Sequence, residues 1–303
     1  MTRETLKPAS HDNWLQLRAG NINSTEISSL FGISPYMTEF ELWHMKREAK
    51  VTSIDDNERM LWGRRLQEAI AVGVAADQGW DVRPMDEYIR LPEQRLGSSF
   101  DFAINEEGIL EIKNVDSLVY RDGWLVDGDD IQAPAHIELQ LQHQLLVSGR
   151  PYGCIAALVG GNRVAIINRQ ADPAVHQAIL NKAAKFWASI EANTPPSPDF
   201  VKDAQFIASL YNLAEPGKIL DASGDADIAS MAKRDKELQE AGKRIDEERA
   251  EIKARILMRI GDVEKVIGEG FTVSCGVQGP TQIEAHERSG FRRFRITWKK
   301  EKK

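Results

Sequence analysis

The stretch GSSFDFAINEEGILEIKN, residues 97–114, limits the folds open to this chain more than any other. Two apolar runs flank a turn rich in Asn, Glu and Gly, the pattern of a β-hairpin with a buried face. Each strand also carries a charge that a plain hairpin does not need. Asp101 stands near the end of one strand, and Glu111 and Lys113 are separated by a single Ile112 on the next. Side chains two apart on a regular strand share a face, so Glu111 and Lys113 point the same way. Asp101 joins them only if the turn has odd length, as Asn105–Glu107 gives, or if a bulge corrects the register. A four-residue turn, Asn105–Gly108, puts it on the opposite face. Gly108 suits the left-handed position of such a bulge.

The rest of the chain supplies what this hairpin packs against. Residues 13–48 read as helical in pieces. In STEISSLFG, Ser24 or Thr25 serves as cap and Gly32 as stop, and Thr38 caps TEFELWHMKRE. A longer helix runs from about Asp56 to Gln78 and is closed by Gly79. Strand-like DVRP, EYIRLP, RLGSSFDFAI and GILEIKNV follow, punctuated by Pro and Gly. After a loop at 121–133 comes the helix PAHIELQLQHQLLVSG, bounded by Pro134 and Gly149. Its Ile137, Leu141 and Leu145 form an apolar stripe that leaves Gln140 and Gln144 together on another face. His136 and His143 read as surface residues. The strands YGCIAALVG and NRVAIINR, joined through Gly160, Gly161 and Asn162, and a helix at 173–191 complete the unit.

This order predicts an α/β (α+β) fold over residues 1–195, with a central mixed sheet flanked by helices. NTPPSPD, 193–199, marks a boundary. Residues 196–303 read as a helical extension with a terminal β-hairpin formed by GFTVSCG and FRRFRITW. In the helical tract, about 225–260, Met231, Leu238, Ile245 and Ile252 recur every seven residues, a narrow seam suited to a helical hairpin or coiled coil. The surrounding charge run is mostly a solvated helix face, with Glu240–Arg244 and Glu251–Arg255 spaced as ion pairs.

Bulk properties exclude several classes. No apolar run approaches the roughly 20 residues needed to span a bilayer. The N-terminus lacks the apolar stretch of a secretory signal, so a cytoplasmic protein is expected. Only two cysteines occur, Cys154 and Cys275, which argues against a disulfide framework, a zinc ribbon or a four-cysteine iron–sulfur cluster. The formal charge of −7 is not that of a simple DNA-coating protein. It is compatible with an enzyme whose basic groups are concentrated in one cleft.

Two carboxylates converging on one spot repel each other unless a cation lies between them. Hard oxygen ligands with open positions favour Mg²⁺, or Mn²⁺, which keep waters and recruit phosphate oxygens. A lysine alongside orients an attacking water and stabilises developing negative charge. That set serves metal-assisted phosphodiester hydrolysis. A surface hairpin carrying a Glu–Lys pair is the plain alternative.

The sequence resembles the YqaJ-like viral recombinase group that includes lambda exonuclease, within the PD-(D/E)xK nuclease superfamily. The likeness covers about Trp14 to Arg169. It rests on WLQLRAGNINSTEISSLFGISPYMTEFELWHMK, GRRLQEAI, SSFDFAINEEGILEIKN and HIELQLQHQLLVSGRPYGCIAALVGGN, in family order. It implies that Asp101 and Glu111 are metal-binding acids, that the Ile112 peptide oxygen is a further ligand, and that Lys113 is the catalytic lysine. Glu68 resembles the acid that this group supplies from the helix before the sheet, and is otherwise a helix-surface glutamate beside Arg64 or Arg65. Gln140 matches a glutamine next to the active site. Arg18, Ser24 and Thr25 fall where the family grips a 5′-phosphate, although Ser24 and Thr25 also serve as plain helix caps. Asn23 departs from the smaller residue or threonine common there, and SSFD replaces the motif's Pro-Asp.

The resemblance further implies a 5′→3′ exonuclease on double-stranded DNA ends, which leaves 3′ tails for a single-strand annealing partner. It also implies a ring-shaped homo-oligomer, a trimer, in a bacterial host cell, encoded by a phage or prophage. Readings from other classes are a DNA-end-binding or assembly module on an inactive nuclease fold, and a structure-specific endonuclease. Arg292, Arg293 and Arg295 in the tail contact DNA phosphates or solubilise the terminus.

Overall fold

The computed structural model describes residues 1–49, 57–128 and 130–279. The chain divides into two compact units, 1–207 and 208–303. The first opens with β1 (Glu4–Leu6), α1 (His11–Ala19), β2 (Ile22–Asn23), α2 (Ile27–Leu30), α3 (Glu39–Arg47) and α4 (Glu58–Gln78). Local chemistry sets these limits. Ser10, Thr38 and Asn57 each accept a hydrogen bond from the backbone N–H three residues on, at the starts of α1, α3 and α4. Gly79, at φ 67°, ends α4 in the left-handed region. Neither Ser24 nor Thr25 caps α2. The cap position is Glu26, whose carboxylate instead turns back to the Asn23 N–H at 2.8 Å.

Short strands follow: β3 (Val82–Pro84), β4 (Tyr88–Leu91), β5 (Leu96–Ser98), β6 (Phe102–Ile104) and β7 (Gly108–Val115). RLGSSFDFAI is therefore not one strand. Residues 99–101 carry the chain out of one sheet and into another. The four-stranded sheet has the order β1-β4-β5-β2. The expected loop at 121–133 instead holds the end of α5 (Ser117–Gly123) and a hairpin of β8 (Leu125–Asp127) with β9 (Asp130–Gln132). Next come α6 (Ala135–Ser148), β10 (Tyr152–Val159), β11 (Arg163–Gln170) and α7 (Pro173–Glu191). The second sheet, β11-β10-β7-β6-β3, is mixed, because β10 runs parallel to β7 while every other neighbouring pair in it is antiparallel.

Strand periodicity sorts the core into two layers. Leu110, Ile112, Cys154 and Ala156 face Ile70, Ala71 and Val74 of α4. Ile109, Ile155 and Ala157 belong to the larger cluster on the other side, with Leu141, Leu145, Ile179 and Phe186 of α6 and α7. Because α6 packs against β4 and β5 of one sheet and β7 and β10 of the other, it is buried nearly all round. His143 is consequently not a surface residue. It is fully enclosed, its Nε2 lies 3.1 Å from the Gly97 carbonyl, and burial pushes the imidazole down to about 4. His136 is half-buried, edge-on to Tyr36.

The first unit runs past 195 because α8 (Ala204–Leu210) begins inside it. Buried Asp203 accepts from the Thr38 hydroxyl at 2.5 Å and from the Asp199 N–H, and Phe206 meets the rings of Phe40 and His44. The second unit holds α9 (Ala226–Ile260) and a hairpin of β12 (Lys265–Gly268) with β13 (Phe271–Ser274). The strand expected to pair with GFTVSCG, FRRFRITW, lies outside the described residues, as do Arg292, Arg293 and Arg295. The partner of β13 in this structure is β12. No helix among the described residues is long and apolar enough to cross a membrane.

Candidate active site

The β6–β7 register decides whether the three charged groups meet. Phe102 pairs with Leu110, Ala103 with Ile109 and Ile104 with Gly108, which leaves a turn of Asn105, Glu106 and Glu107. That odd turn is the one needed to bring Asp101 alongside Glu111. Its left-handed residues are Asn105, at φ 46°, and Glu106, at φ 66°. Gly108 is not left-handed. It is glycine because the Tyr152 ring lies where its Cβ would be, 2.3 Å away.

Glu111 and Lys113 share the face that looks toward α6. Lys113 Nζ donates to Glu111 Oε1 at 2.7 Å and to Gln140 Oε1 at 3.0 Å. The Gln140 amide donates to the same Glu111 oxygen at 2.6 Å, and Gln144 donates to Glu111 Oε2 at 2.7 Å. Gln140 thus bridges acid and lysine. Gln144, noted in the sequence only as its neighbour on that face, holds the second carboxylate oxygen. Both glutamines, like Glu111, are buried.

Asp101 Oδ2 accepts from the Ile112 N–H at 2.8 Å, and Oδ1 accepts from Gln67 Nε2 at 2.8 Å. The Ile112 side chain belongs to the opposite core layer, so only its peptide group is available to the site. Burial, and then the Glu111 charge, push the Asp101 carboxyl up to about 7, against the bonds from Ile112 and Gln67 and the charge of Lys113. Burial works against the Lys113 ammonium too, but the carboxylates of Glu111 and Asp101 outweigh it and hold that group above its ordinary value.

Glu68 does not join this cluster. It is exposed on α4, while Gln67 occupies the turn position that faces Asp101. Among the described residues, no group of three or more His, Cys, Asp or Glu converges to hold a metal. The donor set is therefore two carboxylates with a peptide group between them. It fits a hard divalent cation that keeps several of its own waters. The Asp101 carboxyl is raised first by its burial and then by the Glu111 charge, which Lys113 opposes.

The second group of sequence candidates gathers around the start of the chain. Arg18 stacks on Trp14, 4.7 Å from the ring centroid, and reaches the Thr25 hydroxyl at 3.3 Å. Thr25 is exposed, whereas Ser24 is buried and accepts from the Ser98 hydroxyl at 3.0 Å. Below them lies a set that sequence reading missed. Glu26 is paired with buried Lys46 at 2.8 Å, and Lys46 also holds the Arg18 carbonyl. Asn23 explains its own departure from the family pattern: it is fully buried, takes the Tyr88 hydroxyl, and donates to Arg18 and Asn21 carbonyls and to Glu26. The 98–101 link runs between the two candidate groups. Ser98 touches Ser24, Ser99 takes the Trp14 indole N–H at 2.8 Å, and Asp101 enters the carboxylate cluster.

A mixed sheet flanked by helices, with two acids and a lysine at one end of its hairpin, defines an α/β domain with a buried carboxylate–lysine cluster. Residues 13–151 match the YqaJ-like viral recombinase domain. The YqaJ protein of Bacillus subtilis (strain 168), itself uncharacterized, is 26% identical over 218 residues, spanning 70% of this chain and 67% of that protein. Among solved structures, an alkaline exonuclease, LHK-Exo, from Laribacter hongkongensis is similar at TM-score 0.46 and 17% identity, covering 65% of this chain and 98% of that one. A phage-related exonuclease from Haemophilus somnus 129PT is similar at TM-score 0.40 and 10% identity, over 57% of this chain and 96% of its own.

Proposed function

We propose that the chain is a Mg²⁺-dependent deoxyribonuclease that degrades one strand of duplex DNA from its 5′ end and leaves 3′ single-stranded tails for recombination by strand annealing. The observation that carries this reading is that Asp101, Glu111 and Lys113 lie together on neighbouring strands, close enough for their charges to act on one another. Asp101, Glu111 and the Ile112 peptide oxygen would hold the ion, Mg²⁺ or Mn²⁺. When bound, such an ion neutralises phosphate charge and makes a coordinated water more acidic. The chain's own groups do the rest. Lys113, held as an ammonium, offers its Nζ protons to the attacking water and to the oxygen on which charge develops. Gln140 fixes that Nζ relative to Glu111, and Gln144 keeps the Glu111 carboxylate from rotating away. These are positioning roles.

Arg18 and the Thr25 hydroxyl form an exposed receptor whose donors suit a terminal phosphate. Ser24, bonded to Ser98, supports it from beneath. Arg18→Ala is expected to narrow the preference for 5′-phosphate over 5′-hydroxyl ends by roughly tenfold, the scale of one charge-assisted hydrogen bond. An unchanged ratio of initial rates on the two ends would remove Arg18 from this role. The family likeness also supports a ring-shaped homotrimer threaded by duplex and a single-strand annealing partner, acting in the cytoplasm of a bacterial host.

Linear and covalently closed duplexes incubated with Mg²⁺ test the end dependence. Linear DNA should disappear while closed circles persist, and equal rates would assign an endonuclease instead. A second reading rests on Gln67: an amide stands where a further acid was expected, as in a DNA-end-binding module on an inactive nuclease fold. Binding of duplex ends without cleavage in either Mg²⁺ or Mn²⁺ would favour that reading.

A further inference from the structure

The long helix of the second unit has an apolar face that none of the described residues buries. α9 runs for 35 residues, and none of them is buried. Met231, Leu238, Ile245 and Ile252 recur at intervals of seven. Between them, at alternating steps of three and four, stand Asp235, Gly242 and Arg249, with Ile228 and Ile256 at the two ends. Steps of three and four define a coiled-coil seam, and the apolar members of this one are between 37% and 63% exposed.

The seam is symmetric about Gly242. Reading outward in both directions, Leu238 is matched by Ile245, Asp235 by Arg249, Met231 by Ile252 and Ile228 by Ile256. Apolar positions answer apolar ones, and the acid answers the base. We propose that α9 pairs antiparallel with α9 of a second copy of this chain, about a dyad at Gly242. This isologous arrangement sets Asp235 beside Arg249 of the second copy, twice over, and buries both apolar halves. An in-register parallel pair instead sets Asp235 against Asp235 and Arg249 against Arg249 within the seam.

Gly242 supplies an independent argument. A glycine in a helix interior is destabilising relative to alanine. Nothing among the described residues requires it, since a Cβ at this position would meet none of their atoms within 4 Å. Close approach of a second helix backbone at the dyad accounts for it. The seam is also free to pair. The ion pairs Lys243–Glu247 and Glu251–Arg255 use other helix positions, and Asp235 spends only Oδ2 on Gln239.

The test uses the full-length chain carrying Cys275→Ser, Cys154 being buried. With Gly242→Cys added, mild oxidation is expected to link two copies. With Met231→Cys it is not, because antiparallel pairing about Gly242 holds the two sites about 33 Å apart, 22 residues at roughly 1.5 Å each. Sedimentation equilibrium should show the particle mass halved by Leu238→Asp with Ile245→Asp, whether the unit that pairs is one chain or a ring of three. Asp235→Arg alone should weaken self-association at least tenfold, and Asp235→Arg with Arg249→Asp should restore it. Linkage through Met231→Cys overturns the proposal in favour of a parallel pair. Absence of linkage at Gly242→Cys, failure of the charge exchange to restore association, or a mass unchanged by the two aspartates overturns pairing through this seam.

Discussion

Lys113→Ala should lower the rate of duplex cleavage roughly a thousandfold, the scale expected when a preorganised donor to developing charge is removed, while end binding and the folded state persist. The argument is local. Lys113 Nζ is bonded to Glu111 and Gln140, so it sits where phosphate oxygens would approach the carboxylate pair. Its removal does not strip Glu111 of partners, because Gln140 still donates to Oε1 and Gln144 to Oε2. The side chain is also 23% exposed, so its loss opens no large cavity. Single-turnover cleavage of a 5′-phosphorylated duplex, measured beside fluorescence anisotropy of the same duplex without metal, separates chemistry from binding. Retained turnover contradicts the role given to Lys113, and joint loss of binding and turnover assigns it to DNA contact alone.

The largest expected stability effect comes from His143. The folded imidazole protonates near pH 4, against an ordinary value of 6.5, because it is enclosed and its Nδ1 has no partner among the described residues. Between these two values the unfolded chain binds a proton that the folded chain refuses. The stabilising contribution is therefore complete above pH 6.5, declines as pH falls toward 4, and changes little below that. A shift of this size corresponds to roughly 3 kcal/mol. His143→Gln keeps a donor for the Gly97 carbonyl and removes the titration. Urea unfolding of both proteins in chelator, from pH 7.5 to 4, should show the unsubstituted chain losing that amount relative to the variant. Parallel curves would mean that His143 is solvated or paired in solution.

Much of the site was readable in the residues because strand geometry is strict. With a period of two, Glu111 and Lys113 have only one relation, and an odd turn settles Asp101. The apolar stripe of α6 likewise left Gln140 and Gln144 one face to share. Helices were read less well, for two physical reasons. A one-residue offset turns a side chain by about 100°, which is the difference between Glu68 in solvent and Gln67 on Asp101. Polar residues on a helix are also ordinarily solvated, and nothing local in PAHIELQLQHQLLVSG reveals that sheets cover it on both sides. That tertiary circumstance buries His143 and turns Gln142 and Gln144 inward. Residues 99–101 look like strand by composition, yet the chain leaves one sheet there and enters the other. That step also joins the Arg18–Thr25 region to the carboxylate pair.

Direct titration of the ion tests the central claim most closely. Mn²⁺ added to the DNA-free chain and followed by electron paramagnetic resonance should reveal saturable binding that Mg²⁺ displaces. Asp101→Asn and Glu111→Gln should each abolish it without unfolding the protein, whereas Glu68→Gln should leave it unchanged. Binding of equal strength in all four proteins would mean that these acids hold no metal, and the nuclease reading would lose its foundation.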